Sequence, residues 1–369
     1  MKHILVTGGA GFVGSNFIKY ILENREKYFV VNLDKLTYAG NLDNLKDVDF
    51  DRYKFIKGDI LDSDILEMIF GKYEINHIIN FAAESHVDRS LKDSEVFLKT
   101  NVMGVQSLLE TCLKNNADRE IECNFLQIST DEVYGDRYGK KAADENAQVN
   151  PSNPYSASKA SAEMLVKSYS KSFGLKYNIV RPSNNYGPKQ HIEKLIPLTI
   201  LKAIQGKKIP IYGDGNQRRE WTYVKDNCKG ILKVLESEKY RETYNIGSGS
   251  LIKNIDIVKI IIDKVKLKMR DDNINYNLIE YVDDRPGHDK EYKLDSRKIA
   301  EKLDMKFEYN LEKGIDETIE WYINKNWASC KCSVFLKNSI CELFLFRTVQ
   351  AKVYLYLIYL LHLLDNMDV

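Results

Sequence analysis

The chain has 369 residues, which at roughly 150 residues per domain predicts about two domains. Lys plus Arg number 54 and Asp plus Glu 53, a net charge of +1 that offers nothing for a polyanion to grip and sets nucleic acid aside as a partner. A hydrophobic fraction of 44% with seven prolines and twenty glycines describes a globular chain able to bury a core, and excludes disorder and fibres.

The first residues, Met1 to Gly8, run from a short apolar stretch into glycines with no signal-peptide pattern, so the mature protein is expected to start here. Ile4-Leu5-Val6 predicts a buried strand, and Phe17, Ile18, Ile21 and Leu22 recur at helical spacing after the glycine turn. Further strands are predicted over 29–34, 53–59, 77–83, 125–130 and 177–181, with helices around 61–70, 95–115 and 155–173 between them. Apolar strands alternating with helices predict an α/β fold, a doubly wound parallel sheet of Rossmann type covered on both faces. Beyond about Pro188 the alternation loosens into short pieces such as 209–212 and helical stretches near 254–268 and 311–326. The expected organisation is a dinucleotide-binding domain over 1–188 and a smaller substrate lobe over 189–327, with some strands free to return to the first sheet. A tail over 328–369 stands apart.

Gly8-x-x-Gly11-x-x-Gly14 falls where the first strand meets the first helix. Glycines there permit the sharp turn and let a pyrophosphate reach the free N–H groups of the helix N-terminus. Asp34 closes the next strand twenty residues later, where a carboxylate binds a ribose 2′-hydroxyl and repels a 2′-phosphate, so NAD is expected over NADP. Tyr155 and Lys159 stand four apart on a predicted helix and share a face, where the ammonium is expected to lower the phenol pKa and make Tyr155 a base. Thr130-Asp131-Glu132 follows the fifth strand at its carboxyl end, the ligand edge of such sheets. Two adjacent carboxyls there raise one pKa by repulsion, so one serves as acid and the other as base. A helix N-cap with acidic first-turn residues also accounts for Thr130 or Asp131, but not for acids placed beside the expected nicotinamide.

These segments, with Ala83-Glu84-Ser85-His86-Val87-Asp88-Arg89-Ser90, Ser183-Asn184-Asn185-Tyr186-Gly187-Pro188 and Asp284-Arg285-Pro286-Gly287-His288-Asp289, resemble the dTDP-glucose 4,6-dehydratases among the extended short-chain dehydrogenase/reductases. The resemblance is collinear over about residues 1–327. It implies a lyase that eliminates water from dTDP-glucose in a deoxysugar pathway, through an internal redox cycle on NAD. Tyr155 takes the C4 hydroxyl proton, Glu132 the C5 proton, and Asp131 protonates the departing C6 hydroxyl. Thr130 bonds the C4 oxygen and Lys159 also holds the nicotinamide ribose. The family pattern further implies cofactor contacts at Phe12, Val13, Lys35, Leu36, Thr37, Asp59, Ile60, Phe81, Ala82, Ala83, Glu84, Ser85, Thr100 and Asn185. For the nucleotide sugar it points to Ser85, Thr130, Asn184, Lys194, Leu195, Pro210, Ile211, Tyr212, Arg219, Asn254, Asp284, Arg285, Pro286, Gly287 and His288. No metal is implied, and a homodimer through the helices around 95–115 and 155–173 is.

Two departures stand out. Lys189-Gln190-His191-Ile192 replaces an aromatic-His-Phe-Pro run, and Arg218 precedes Arg219, so the diphosphate contact has two candidates. Of six cysteines, three (Cys330, Cys332, Cys341) lie in the tail; the number and spread suit a reducing, cytoplasmic setting rather than a disulfide scaffold. The apolar run Val353 to Leu364 is twelve residues, short of the ~20 that a spanning helix needs.

Overall fold

The computed structural model describes residues 1–48, 50–118 and 122–329, with side chains except at 50, 118 and 326–329. The tail cysteines Cys330, Cys332 and Cys341 and the run Val353 to Leu364 lie outside the described residues.

In chain order the strands are β1 (Lys2–Thr7), β2 (Tyr28–Asp34), β3 (Tyr53–Lys57), β4 (Ile75–Asn80), β5 (Asn124–Ile128), β6 (Tyr177–Pro182), β7 (Asn184–Tyr186), β8 (Ile209–Tyr212), β9 (Arg218–Tyr223), β10 (Glu242–Ile246), β11 (Leu251–Lys253) and β12 (Ile279–Val282). The helices are α1 (Phe12–Asn24), α2 (Ser63–Lys72), α3 (Val87–Lys92), α4 (Glu95–Leu98), α5 (Gly104–Asp118), α6 (Pro154–Phe173), α7 (Leu195–Ile204), α8 (Val224–Leu235), α9 (Asn254–Met269), α10 (Arg297–Leu303) and α11 (Leu311–Ser329).

Seven strands form one parallel sheet in the order β10-β6-β5-β4-β1-β2-β3. Consecutive residues of β1 explain its double cover. Ile4 and Val6 pack with Phe17, Ile18 and Ile231 on the α1/α8 side, while Leu5 packs with Val31, Leu108 and Val166 on the α5/α6 side. The period-two alternation of side chains demands an apolar residue at every position when both faces are covered. The last strand, β10, pairs with β6 from well beyond residue 188, with Glu242 beside Asn178. Strand order reverses between β1 and β4, and at such a reversal the loops beyond the carboxyl ends part to leave a crevice. Outside this sheet lie a three-stranded sheet, β11-β9-β7, and the parallel pair β12-β8.

Helix α6 sets the site. Asn153 caps it by accepting the Ser156 N–H at 2.9 Å, Pro154 occupies its first turn, and Gly174 ends it at a φ of 76°. Each is a residue type suited to its position: an Asx side chain for orphan N–H groups, proline where no N–H is needed, glycine for a left-handed stop.

Candidate active site

Gly8 has a φ of +68°, and a Cβ there would sit 2.6 Å from the Ala82 nitrogen; one at Gly14 would sit 2.5 Å from the Gly8 carbonyl oxygen. The two glycines therefore bring β1, the α1 N-terminus and the segment after β4 closer than any side chain permits. Asp34, at the end of β2, accepts the Ala10 N–H and the Leu36 N–H, both at 2.8 Å, fixing its carboxylate beside that turn. Leu36 is forced to a φ of 57°.

One cleft of about 450 Å³ is lined by Gly8, Gly11, Phe12, Val13, Gly14, Asp34, Lys35, Thr37, Asp59, Ile60, Phe81 to Ser85, Thr100, Thr130, Asp131, Glu132, Tyr155, Lys159, Asn184, Asn185 and Lys194. Of the residues expected at the cofactor, Leu36 alone is not in that lining; its side chain packs on the core instead. The rest fit a dinucleotide: a glycine cradle at a helix N-terminus, a carboxylate after β2, and buried side-chain oxygens of Asn184 and Asn185 with no hydrogen-bond partner among the described residues.

A second group gathers beside it. The Tyr212 ring meets His288 edge-on at 6.2 Å, and His288 bonds Asp284 at 2.6 Å. The Arg285 guanidinium and the Tyr212 hydroxyl both reach Asp88, at 3.4 and 3.0 Å. Pro210 and Ile211 belong to the β8 strand beneath, Leu195 and Asn254 begin α7 and α9, and Pro286 and Gly287 turn the chain between Arg285 and His288. None of these lines the cleft that borders the glycine turn. Arg219 links the two groups. It is 4% exposed, donates to the Asp289 carbonyl at 2.8 Å, lies 4.2 Å over the Tyr292 ring, and its charge is felt at Asp131. Arg218 points outward to Glu291 at 3.8 Å with its side chain 45% exposed, so of the two arginines Arg219 is the inward one.

The reactive cluster is differentiated by burial. The Thr130 hydroxyl accepts the Glu132 N–H at 3.3 Å and donates to Asp131 Oδ1 at 3.2 Å, so capping and site geometry are one arrangement here. Burial pushes the Asp131 carboxyl well above the usual range, reinforced by Glu132 and Glu220 and opposed by Arg219 and Thr130. The expected lowering of the Tyr155 phenol by Lys159 is not found. Burial, with Glu132 and Asp131 nearby, raises that phenol, while the Lys159 ammonium turns away to donate to the Ile128 carbonyl at 2.7 Å. Burial in turn brings Lys159 down to about 8, opposed by Glu163 one helical turn on. Glu163 is itself buried, taking the Ser129 hydroxyl at 2.6 Å and the Arg181 guanidinium at 2.9 Å.

Several residues escaped sequence reasoning. Asn101, in a π-helical turn (Lys99–Met103) between α4 and α5, accepts the Glu84 N–H at 2.9 Å and donates to Ser158 at 2.9 Å, pinning the segment after β4 to α6. Such turns concentrate at functional sites, but no composition signal marks them. Tyr292 places its hydroxyl 3.4 Å from Glu132 Oε2 and 2.7 Å from Asp289. Tyr38, Gln190, His191 and Glu193 also line the cleft. Adjacency to Thr37 and Lys194 was the signal available for Tyr38 and Glu193, and the departure of the 189–192 run from the family pattern was the one for Gln190 and His191.

A parallel doubly wound sheet whose Tyr-x-x-x-Lys helix borders a glycine-cradled cleft defines an extended short-chain dehydrogenase/reductase. A family model described as GDP-mannose 4,6 dehydratase matches residues 5–318. The dTDP-glucose 4,6-dehydratase of Shigella flexneri is 44% identical over 340 residues, spanning 88% of this chain and 94% of that protein. The crystal structure of dTDP-glucose 4,6-dehydratase from Bacillus anthracis str. Ames in complex with NAD is 40% identical with a TM-score of 0.79, covering 89% of this chain and 98% of that one. UDP-glucose 4-epimerase of Thermotoga maritima with UDP-glucose reaches a similar TM-score, 0.78, at only 28% identity, covering 88% and 99%. Fold alone therefore does not separate dehydration from epimerisation; sequence does. The chain belongs to the dTDP-glucose 4,6-dehydratase family of the extended short-chain dehydrogenase/reductases.

Proposed function

We propose that this enzyme converts dTDP-glucose into dTDP-4-dehydro-6-deoxyglucose and water, with NAD as its cofactor. The observation that carries the reading is the Asp131–Glu132 pair: one carboxyl buried and pushed well above the usual carboxylate range, its neighbour half-buried in the same cleft. The family relationship and the bound NAD of the Bacillus anthracis relative support it.

When bound, NAD supplies the acceptor that takes hydride from C4 and returns it at C6. The chain's own residues move the protons. Tyr155 takes the C4 hydroxyl proton as its phenolate, a form that burial disfavours and that the positive charge of an oxidised nicotinamide ring would favour, while the Thr130 hydroxyl turns from Asp131 to donate to the same C4 oxygen. The C4 ketone acidifies C5, and Glu132 removes that proton. Asp131, whose charged form burial disfavours, gives its proton to the leaving C6 hydroxyl, as β-elimination requires. Lys159, fixed on the Ile128 carbonyl, supplies positive charge at the back of the cleft. Asp34 accepts a ribose hydroxyl, which a 2′-phosphate would forbid. The cluster of Tyr212, Arg219, Arg285 and His288 holds the nucleotide diphosphate, the two guanidinium forks matching its oxygens.

In this reading residues 189–327 act as the sugar-nucleotide lobe on a dinucleotide-binding domain of 1–188. A homodimer is part of it, supported by Leu98, Met103 and Met164, which are 50%, 54% and 48% exposed along the α4/α5 and α6 surfaces. A cytoplasmic setting is supported by Cys112, Cys123 and Cys228, which are buried free thiols. Among the described residues no helix is long and apolar enough to cross a membrane.

Purified protein incubated separately with dTDP-glucose, UDP-glucose and UDP-glucuronate, with products followed by mass, tests the function. Loss of one water from dTDP-glucose alone is expected. Loss of carbon dioxide from UDP-glucuronate, or a C4-inverted product of unchanged mass, assigns the chain to a decarboxylase or epimerase instead.

A further inference from the structure

A redox-neutral cycle needs the same cofactor molecule from first step to last, so how long NAD stays bound is a property the chain must set. Three segments that leave different points of the sheet edge meet over the cleft: the turn after β2, the segment running from β4 into α3, and the approach to α7. Side chains tie them together. The Arg89 guanidinium lies 3.6 Å over the Tyr38 ring, a close cation–π distance. Arg89 Nη2 also stands 3.5 Å from Glu193 Oε2, which His86 Nε2 approaches at 3.6 Å. His191 meets the Tyr38 ring edge-on at 5.4 Å and stands 3.6 Å from the other Glu193 oxygen. Tyr38, His191 and Glu193 line the cleft, while the Arg89 side chain is 48% exposed on its outside.

We propose that Tyr38, Arg89, His191 and Glu193 form a latch across the cleft that governs the residence time of the bound cofactor. The inference rests on the reading of the cleft as an NAD site. Tyr38 and Glu193 make the inner wall, Arg89 clamps both from outside, and His191, which stands in the segment that departs from the family pattern, braces the ring from its edge. These are positioning residues: they act on release, leaving the proton transfers to the catalytic cluster.

The test is the dissociation rate of NADH from purified holoenzyme, followed by loss of its fluorescence on dilution into excess NAD. Arg89→Ala and Tyr38→Leu are each expected to release the cofactor about ten-fold faster, the change that roughly 1.4 kcal/mol of lost contact produces. The double variant should release the cofactor less rapidly than the product of the two single effects, because both substitutions remove the shared Arg89–Tyr38 contact while each also loses one of its own, to Glu193 or to His191. The KM for dTDP-glucose should stay within about two-fold, which a general loosening of the fold would not leave intact. Arg89→Lys keeps the charge facing Glu193 and removes the flat stacking surface, so it tests the latch with a smaller change to the fold and is expected to give an intermediate rate. Arg297→Ala, which removes an exposed ion pair with Asp295 on α10, should leave release unchanged. Wild-type release rates in Arg89→Ala, Tyr38→Leu and Arg89→Lys overturn the latch. A wild-type protein that binds no NAD overturns the reading of the cleft itself.

Discussion

Asp131 and Glu132 are adjacent in the chain and opposite in environment. Asp131 is 3% exposed, takes the Thr130 hydroxyl at 3.2 Å on one oxygen and has no hydrogen-bond partner on the other among the described residues. Glu132 lines the cleft with one oxygen 3.4 Å from the Tyr292 hydroxyl. A buried carboxyl with a free oxygen is a proton donor in waiting; a carboxylate open to the cleft is a base.

Removing the base separates the steps. Glu132→Gln is expected to leave C4 oxidation intact and slow dehydration by about 10²- to 10⁴-fold, the usual worth of a general base. Reduced cofactor then accumulates on the enzyme without dehydrated sugar, visible as near-ultraviolet absorbance in a stopped-flow trace. Tyr155→Phe should give the contrary trace, with no reduced cofactor formed.

Asp131 also weighs on stability. Its folded pKa lies above its unfolded value, so between the two the folded state holds a proton that the unfolded state has lost, and stability falls as pH rises through that window. Asp131→Asn removes the dependence while keeping the shape. Its Tm should exceed that of the wild type at pH 7 and converge with it below about pH 4, the ordinary range of the unfolded carboxyl. Dehydration should be lost in the same variant, which sorts a catalytic burden from a structural one. Equal melting curves at pH 7 would contradict the buried neutral acid.

Lys159 predicts the alkaline side. Burial holds its ammonium down to about 8, so the folded enzyme loses this charge well below the range where an unfolded lysine does. Between those values the unfolded chain binds the extra proton, and this group's contribution makes the fold more stable, not less, as pH rises. Activity should move the other way, with kcat/KM for dTDP-glucose declining above about pH 8. A profile flat to pH 10 would remove Lys159's charge from the account.

Gly8→Ala tests the cradle. The added methyl meets Ala82 backbone at 2.6 Å in a backbone conformation that L residues rarely adopt. The expected cost is about 1–3 kcal/mol for the backbone alone, with a lower Tm and weakened NAD binding measured by titration calorimetry. An unchanged affinity would mean that the turn does not carry the pyrophosphate.

What the sequence made legible follows local rules. The apolar run Ile4-Leu5-Val6, the glycine spacing and Asp34 are short-range signals, and each stands in the structure where its pattern placed it. The gathering of Thr130, Asp131, Glu132, Tyr155 and Lys159 in one cleft was legible because strand carboxyl ends and helix faces obey fixed geometry. The environment of Tyr155 was not, because burial depends on everything packed around it, and the four-residue spacing to Lys159 said nothing of the Ile128 carbonyl that claims the ammonium. Tyr292 and Asn101 were hidden for the same reason: their contacts with Glu132 and with Glu84 and Ser158 join segments far apart in the chain. Arg218 and Arg219 were indistinguishable as letters, and only the segments packed around β9 bury one and leave the other exposed.

The central claim is a hydride that leaves C4 and comes back at C6 of the same sugar. dTDP-glucose carrying deuterium at C4, converted by purified holoenzyme without added NAD and examined by mass and NMR, tests it directly. The account predicts a dehydrated product with the deuterium in its C6 methyl group. A dehydrated product without deuterium, or deuterium returned to C4 of a sugar that has lost no water, would contradict it.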